Sequence, residues 1–227
     1  MIKLKRGPAP DFWTRERVKK WTKSWLDKNC ESKRWDWPQY QKQKINHAAC
    51  DALEPWHHDK CAFCESPLSG HREIEHFRSK TRHPLAAFLW LNLFLICSEC
   101  NRKKRDGDHA GSLKPDREDP ADYLWVNPIS LKMEPKPGIS PDARQRAIKT
   151  INLYQLDRPE LTKLYQWYLL QTALLRGPLL QLGRLVVQSA ENDPEMIAQL
   201  PFERAQLKAL ADPSQPFSLM VRSLLGY

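Results

Sequence analysis

The sequence predicts a mostly helical α+β protein in which a small module lies between two helical regions. Two observations predict the module: paired cysteines between residues 61 and 100, and two short segments of strand character between the pairs. A third observation, apolar residues at helical spacing on both sides, predicts the flanking helices. We therefore expect a basic helical region over 1–60, the module over 61–117, and a linker with further helices over 118–227.

The cysteines predict a structural zinc site. They form two Cys-x-x-Cys pairs, Cys61/Cys64 and Cys97/Cys100. Each pair can place two thiolates on one tetrahedral Zn²⁺, so two pairs complete the coordination shell. A redox-active cysteine pair and a disulfide framework are the alternative interpretations. The gap of 32 residues between the pairs exceeds the roughly 15–20 residues of a simple zinc ribbon, which predicts an insertion with its own role.

The insertion contains polar residues of the types found in hydrolytic sites. Residues 72–77 predict a short strand that carries Glu75 and His76, and residues 91–96 predict a second strand with Asn92 near its start. The second cysteine pair then opens a short basic helix over 98–105, which contains Asn101.

The order of these residues resembles the HNH, or His-Me finger, endonucleases. Zinc-bearing members of that family have a Cys-x-x-Cys pair, an acidic residue followed by His, then Asn, and a second pair followed by Asn or His. The same order covers about a fifth of this chain. The resemblance implies a zinc-bound ββα-metal module and hydrolysis of phosphodiester bonds. Glu75 departs from the family pattern, in which Asp is commoner.

The resemblance also implies a role for each residue. His76 is the general base that takes a proton from the attacking water, which suits an imidazole near neutral pH. Glu75 and Asn101 hold one divalent cation, and such oxygen ligands favour Mg²⁺ or Mn²⁺ over a second zinc. Asn92 orients the loop or the His76 ring.

The charge distribution predicts a nucleic-acid partner. The net charge of +9 divides into +6 over residues 1–60, +3 over 61–117 and zero over 118–227. A polyanion is therefore attracted to the half that contains the predicted site. We expect DNA as this partner, with RNA as the alternative. The cations that we expect to contact backbone phosphates follow His76 and Asn101; they are Arg78, Lys80, Arg102, Lys103 and Lys104.

The flanking regions carry helical patterns. Residues 11–29 predict a helix whose tryptophans Trp13, Trp21 and Trp25 are core anchors, with base stacking as the alternative. Pro38 is expected in the first turn of a second helix that runs through Leu53. Residues 112–139 are proline-rich and are expected to be an ordered linker in which Leu124, Trp125 and Val126 pack.

Five further helices are expected in the C-terminal region, where the leucine-rich faces predict a core or a docking face for a protein partner. Their predicted starts are Pro141, capped by Ser140; Leu161, with Asp157 at the cap; Leu179, after a break at Gly177-Pro178; Pro201; and Ser218.

A narrower resemblance, to the PtuB-type HNH nucleases, comes from residues 74–80, 90–93 and 97–101 in their helical context. It implies a role in Septu and retron-associated anti-phage systems and a hetero-oligomer with an ABC-like ATPase, PtuA. This chain has no phosphate-binding loop of its own, so ATP use would belong to the partner. The alternative function is a zinc-stabilised nucleic-acid-binding or adaptor module without cleavage activity.

Composition predicts a cytoplasmic protein. No stretch of about 18 apolar residues is present, and residues 1–6 lack the apolar core of a signal peptide. Unpaired thiols such as Cys30 and Cys50 fit a reducing compartment.

Overall fold

The computed structural model describes residues 1, 3–105, 107, 109–176 and 208–225 of the 227-residue chain. Helices predominate over three small antiparallel strand pairs, which confirms the predicted α+β class. The helices are α1 Arg15–Leu26, α2 Ile45–His57, α3 Ser98–Lys104, α4 Pro141–Tyr154, α5 Pro159–Arg176 and α6 Ser218–Leu225. The strand pairs are β1 Gln39–Tyr40 with β2 Gln43–Lys44, β3 Glu73–His76 with β4 Leu93–Ile96, and β5 Leu124–Val126 with β6 Met133–Pro135.

The β3–β4 pair lies at the centre of the predicted module. Its register places Glu73 opposite Ile96 and His76 opposite Leu93. Every residue of β4 is buried, because α2 packs against both strands while α3 packs against β3. An uninterrupted apolar run is what a strand enclosed on both faces requires. The pair therefore fixes where the end of β3 and the start of α3 meet.

The tryptophans of the first helical region are core residues, as predicted. Trp13, Trp21 and Trp25 are all less than 9% exposed. The indole of Trp13 donates to the Phe88 carbonyl at 2.9 Å. Helix α1 begins later than predicted, at Arg15, because the Thr14 side chain caps the helix and Trp13 precedes it. These rings tie α1 to the segment between β3 and β4.

Two expectations about connecting segments were wrong. Pro38 does not begin a helix: residues 39–44 form the β1–β2 hairpin, and α2 starts at Ile45. Residues 112–139 are not a plain linker, because they contain the β5–β6 hairpin, whose turn is closed by Asn127. Its side-chain oxygen accepts hydrogen bonds from the backbone N–H groups of Ile129 (2.9 Å) and Ser130 (3.2 Å). The hairpin packs against α4 and α6.

The C-terminal helices agree in part with the prediction. Helix α4 starts at Pro141, where the Ser140 hydroxyl accepts from the Ala143 N–H at 3.3 Å, and α6 spans the predicted residues. Helix α5 starts at Pro159, so Arg158, not Asp157, precedes its first residue. The predicted break at 177–178, the helix over 179–190 and the first seven residues of the helix over 201–211 lie outside the described residues.

Within the described part of the chain, none of the helices has both the length and the apolar character that crossing a bilayer requires.

Candidate functional site

The four paired cysteines converge on one point. Cys61 and Cys64 follow α2, whereas Cys97 lies between β4 and α3 as the N-cap of α3, and Cys100 lies in the first turn of that helix. Their sulfur atoms all lie within 4.8 Å of one another, and the Cys64 and Cys97 sulfurs are 3.7 Å apart. A tetrahedral zinc with Zn–S bonds of about 2.3 Å separates its sulfurs by about 3.8 Å. The cluster could therefore bind a structural zinc ion.

A buried arginine accompanies this cysteine cluster. The Arg158 guanidinium is 6% exposed and lies 3.5 Å from the Cys100 sulfur. Burial alone would lower the pKa of Arg158, but the Cys100 and Cys64 sulfurs attract the cation and raise the pKa above its usual value. Four thiolates around Zn²⁺ leave two negative charges, so this cation balances part of the site. No sequence motif identifies Arg158 as part of this site, because the residue lies just before α5, far along the chain from the cysteines.

Strand β3 and helix α3 frame a cleft of about 320 Å³. Three of the predicted catalytic residues, Glu75, His76 and Asn101, line it, whereas Asn92 does not. The cleft is also lined by residues that were not predicted to belong to the site, among them Trp35, Trp37, Asn46 and Glu73.

The His76 ring is held in one orientation. One ring nitrogen, Nε2, is buried without a hydrogen-bond partner, while the ring hydrogen-bonds to the Ala87 backbone through its other nitrogen. Trp37 stacks on the ring at 5.2 Å between centroids, and Trp35 contacts it edge-on at 5.1 Å. Burial, together with the nearby ammonium groups of Lys80 and Lys104, lowers the pKa of His76 well below its usual value. The imidazole is therefore neutral at pH 7, with its lone pair on Nε2.

Glu75 is paired with Lys104. Both side chains are buried, at 2% and 3% exposure, and their charged groups form a close ion pair. The Lys104 ammonium also donates to the His76 carbonyl at 2.8 Å. The structure thus corrects the prediction that Lys104 contacts nucleic-acid phosphates: its side chain returns from the end of α3 under β3, where it neutralises Glu75.

The Asn101 side chain hydrogen-bonds to the carboxylate of Glu73, not to that of Glu75. Its side-chain N–H donates to Glu73 Oε2 at 2.6 Å, and Glu73 also lines the cleft. The side-chain oxygen of Asn46, which α2 contributes, is buried without a hydrogen-bond partner. Among the described residues, only the cysteine cluster brings the ligand atoms of three or more His, Cys, Asp or Glu side chains within 4.8 Å. A cation in the cleft would therefore need amide, water and phosphate oxygens as well as carboxylates.

Asn92 fixes the segment that follows β3. Its side-chain oxygen accepts from the Arg78 N–H at 2.7 Å, and its amide N–H groups donate to the carbonyls of Arg78 (3.0 Å) and Ala86 (2.9 Å). Ala86 directly precedes Ala87, whose backbone holds the His76 ring. This geometry is that of a positioning residue.

The other predicted cations differ in exposure. Arg78 and Arg102 are exposed, and Arg102 pairs with Glu99 at 2.7 Å. Lys80 and Lys103 are half-buried, and the Lys80 ammonium lies 5.2 Å from the centroid of the Trp35 ring. Lys80 therefore belongs to the cleft, whereas Arg78 and Arg102 belong to the surface around it.

No family model matches this chain. The chain is 28% identical to a protein described as "Septu protein PtuB" from Bacillus mycoides (strain KBAB4), over 49% of this chain and 47% of that relative. It therefore spans about half the length of the curated relative that it matches. This weak similarity agrees with the narrower resemblance found in the sequence.

Proposed function

We propose that this chain is a metal-dependent HNH-type endonuclease that hydrolyses phosphodiester bonds, with His76 as the general base. One observation carries the proposal: His76 Nε2 is buried without a hydrogen-bond partner at a cleft that also contains Glu73, Asn101 and Lys80. Buried polar atoms are normally satisfied, so an unsatisfied ring nitrogen in a polar cleft indicates a missing ligand. A water molecule that attacks phosphorus is such a ligand.

The ring geometry supports proton transfer. Nε2 accepts a proton from the attacking water, while the opposite nitrogen remains bonded to the Ala87 backbone and stabilises the imidazolium that forms. Nε2 has almost no accessible surface, and Trp37 covers the ring face. Because Nε2 is covered in this structure, a neighbouring side chain has to shift before water reaches it. Lys80 and Arg105 line the same cleft and would stabilise negative charge on the phosphate.

The oxygen donors of the cleft fit a divalent cation. Glu73, Asn101 and the unsatisfied oxygen of Asn46 would hold Mg²⁺ or Mn²⁺. When bound, the cation would supply charge stabilisation for the phosphate and the departing oxygen. Glu75 lines the cleft as well, but Lys104 already balances its charge, so we assign the principal carboxylate role to Glu73.

Cleavage assays test this proposal. Plasmid DNA and total RNA are incubated with the purified chain in Mg²⁺, Mn²⁺ or chelator. Replacing a general base lowers rates by about 10²–10⁴-fold, so we expect His76→Ala to fall in this range. His71→Ala removes an exposed histidine that does not line the cleft and should cut like the wild type. Binding of nucleic acid without cutting under any metal would favour the adaptor function instead.

We also propose a role in Septu-type anti-phage defence, in a hetero-oligomer with an ABC-like ATPase of the PtuA type. The weak similarity to a Septu protein supports the role. Helix α5 supports a protein partner, because Leu164, Trp167 and Leu170 are 41%, 58% and 56% exposed and recur at three-residue steps. We expect Trp167→Ser to lower co-purification with an ATPase encoded beside this chain. Full recovery of the complex would contradict this docking face.

A further inference from the structure

A second cleft adjoins the one that contains His76. It measures about 460 Å³, and Trp35 and Trp37 line both clefts. Helix α1 forms one wall, and the segment from Trp35 to Tyr40 forms the other. Trp35 and Trp37 therefore form a wall that the two clefts share, with α1 on one side and the candidate general base on the other.

The α1 wall of this second cleft is basic. Arg17 and Lys20 of α1 line it, together with Lys28, which follows the end of the helix. The Arg17 guanidinium is fixed, because it donates to the Phe12 carbonyl at 2.8 Å and lies 4.4 Å from the centroid of the Tyr40 ring. The lining carboxylate of Asp36 is paired with Lys44 at 2.7 Å, outside the cleft. Positive charge is thus in excess, as contacts to successive phosphates require.

The opposite wall is aromatic, and its three rings, Trp35, Trp37 and Tyr40, are all half-buried. Trp35 is enclosed by neighbouring rings, with Trp25 edge-on at 4.9 Å and Phe88 stacked at 5.2 Å. Tyr40 is stacked against Phe12 at 4.7 Å, with the Arg17 guanidinium also over its ring. Trp37 is stacked on His76 at 5.2 Å and in edge-on contact with Trp35 at 5.2 Å, but it also lines the second cleft, so a base would stack on the part of the indole that faces this cleft.

We infer that the second cleft binds single-stranded nucleic acid, with one unpaired base stacked on Trp37 and the adjoining phosphates on the cations of α1. A base within a duplex is covered on both faces by its neighbours, so this stacking selects an unpaired or extruded base. Stacking on an aromatic ring tolerates any base, which fits a cleft without a pattern of base-reading groups. The position of the scissile phosphate beside His76 rests on the proposed nuclease function; the binding itself does not.

Binding measurements without cleavage test this inference. Fluorescence anisotropy compares a 15-nucleotide single strand, as DNA and as RNA, with the corresponding DNA duplex in buffer free of Mg²⁺ and Mn²⁺. We expect the full chain to bind one of the single strands at least tenfold more tightly than the duplex. Comparing the affinities for single-stranded DNA and single-stranded RNA shows which of the two sugars the cleft prefers.

Substitutions then locate the site. Loss of one base stack is worth about 5–150-fold in affinity, so Trp37→Ala should weaken single-strand binding in that range, whereas Trp37→Phe keeps most of it. Lys20→Glu combined with Lys28→Glu should weaken binding and reduce its salt dependence. The matched pair Lys19→Glu and Lys23→Glu makes the same charge change on exposed residues of α1 outside the cleft, and should have a much smaller effect.

Three results would overturn the inference: equal affinity for single strand and duplex, wild-type binding by folded Trp37→Ala, or equal losses in both charge-reversed pairs. Circular dichroism establishes that each variant is folded, and Trp37→Leu, which keeps apolar bulk but removes the aromatic ring, replaces Trp37→Ala if that variant does not fold. Single-strand binding without any cutting would remove the nuclease proposal and leave this inference standing. Cutting without a preference for binding single strands would remove this inference and leave the nuclease proposal standing.

Discussion

The cysteine cluster and the cleft that contains His76 share α3, but their polar groups are satisfied in opposite ways. In the cluster, each sulfur lies near the other three, and the buried Arg158 faces Cys100. In the cleft, His76 Nε2 and Asn46 Oδ1 are buried without hydrogen-bond partners. A closed, balanced cluster is what a structural site needs, whereas unmet hydrogen-bonding capacity marks a place where a ligand completes the site. The cysteine cluster therefore has the character of a structural site, and the cleft has that of a site that binds a ligand.

The largest effect should follow from breaking the cluster. Cys64→Ser leaves an incomplete ligand set, and structural zinc sites contribute folding free energy directly. We expect loss of bound zinc and unfolding of the module, measured by metal analysis and thermal melting. Cys30→Ser, at a half-buried cysteine outside the cluster, should retain zinc. A Cys64→Ser protein with one zinc per chain and an unchanged melting temperature would show that the cluster is not a scaffold.

Breaking the ion pair beneath the cleft should have the next largest effect. Lys104→Met leaves the buried Glu75 carboxylate without its cation, which costs about 3–5 kcal/mol. The double variant with Glu75→Gln should recover most of that loss, because no unpaired charge remains. Urea unfolding of the two single variants and the double variant measures the coupling. Additive losses would mean that Lys104 does not balance Glu75.

Acid should destabilise the protein through its buried histidines. Burial, with smaller contributions from Arg6 and His58, lowers the pKa of His57 to about 3, and the pKa of His76 is also lowered. Below a pH of about 6.5 the two histidines become protonated in the unfolded chain but not in the folded protein. The free energy of unfolding therefore falls as the pH drops, by roughly 1.4 kcal/mol per pH unit for each histidine. His57→Gln should remove one of these contributions. Stability that is constant between pH 7 and 4 would contradict the lowered pKa values.

The smallest effect should come from the loop that positions the base. Asn92→Ala removes three buried hydrogen bonds to backbone groups and should cost about 2 kcal/mol while slowing cleavage. Asn152→Ala, at an exposed asparagine of α4, is the matched control and should change stability little. Chemical denaturation and initial rates measure both. Wild-type cleavage by Asn92→Ala would show that the loop does not position His76.

Local spacing explains which parts of the site were predictable from the sequence. A Cys-x-x-Cys turn brings two sulfurs together wherever it occurs, and the strand and helix that carry His76 and Asn101 follow from short patterns. The burial of Lys104 and the approach of Arg158 depend on how α3 and α5 pack, which no local pattern records. The same holds for Trp37, which the sequence placed in a break between helices.

The β5–β6 hairpin was missed for a related reason. Each strand has only three residues, in a segment that contains several prolines. Strand signals need about four residues of alternation to be recognised, and proline weakens them further. The hairpin is stabilised by packing against α4 and α6, which lie far along the chain.

The most direct test of the account compares His76→Gln with the wild type in zinc content, melting temperature and the initial rate of cleavage. The account predicts one zinc per chain, a melting temperature close to that of the wild type and a rate at least about 100-fold lower. Cleavage at the wild-type rate by a zinc-loaded His76→Gln protein would contradict the assignment of the general base, and with it the proposed mechanism.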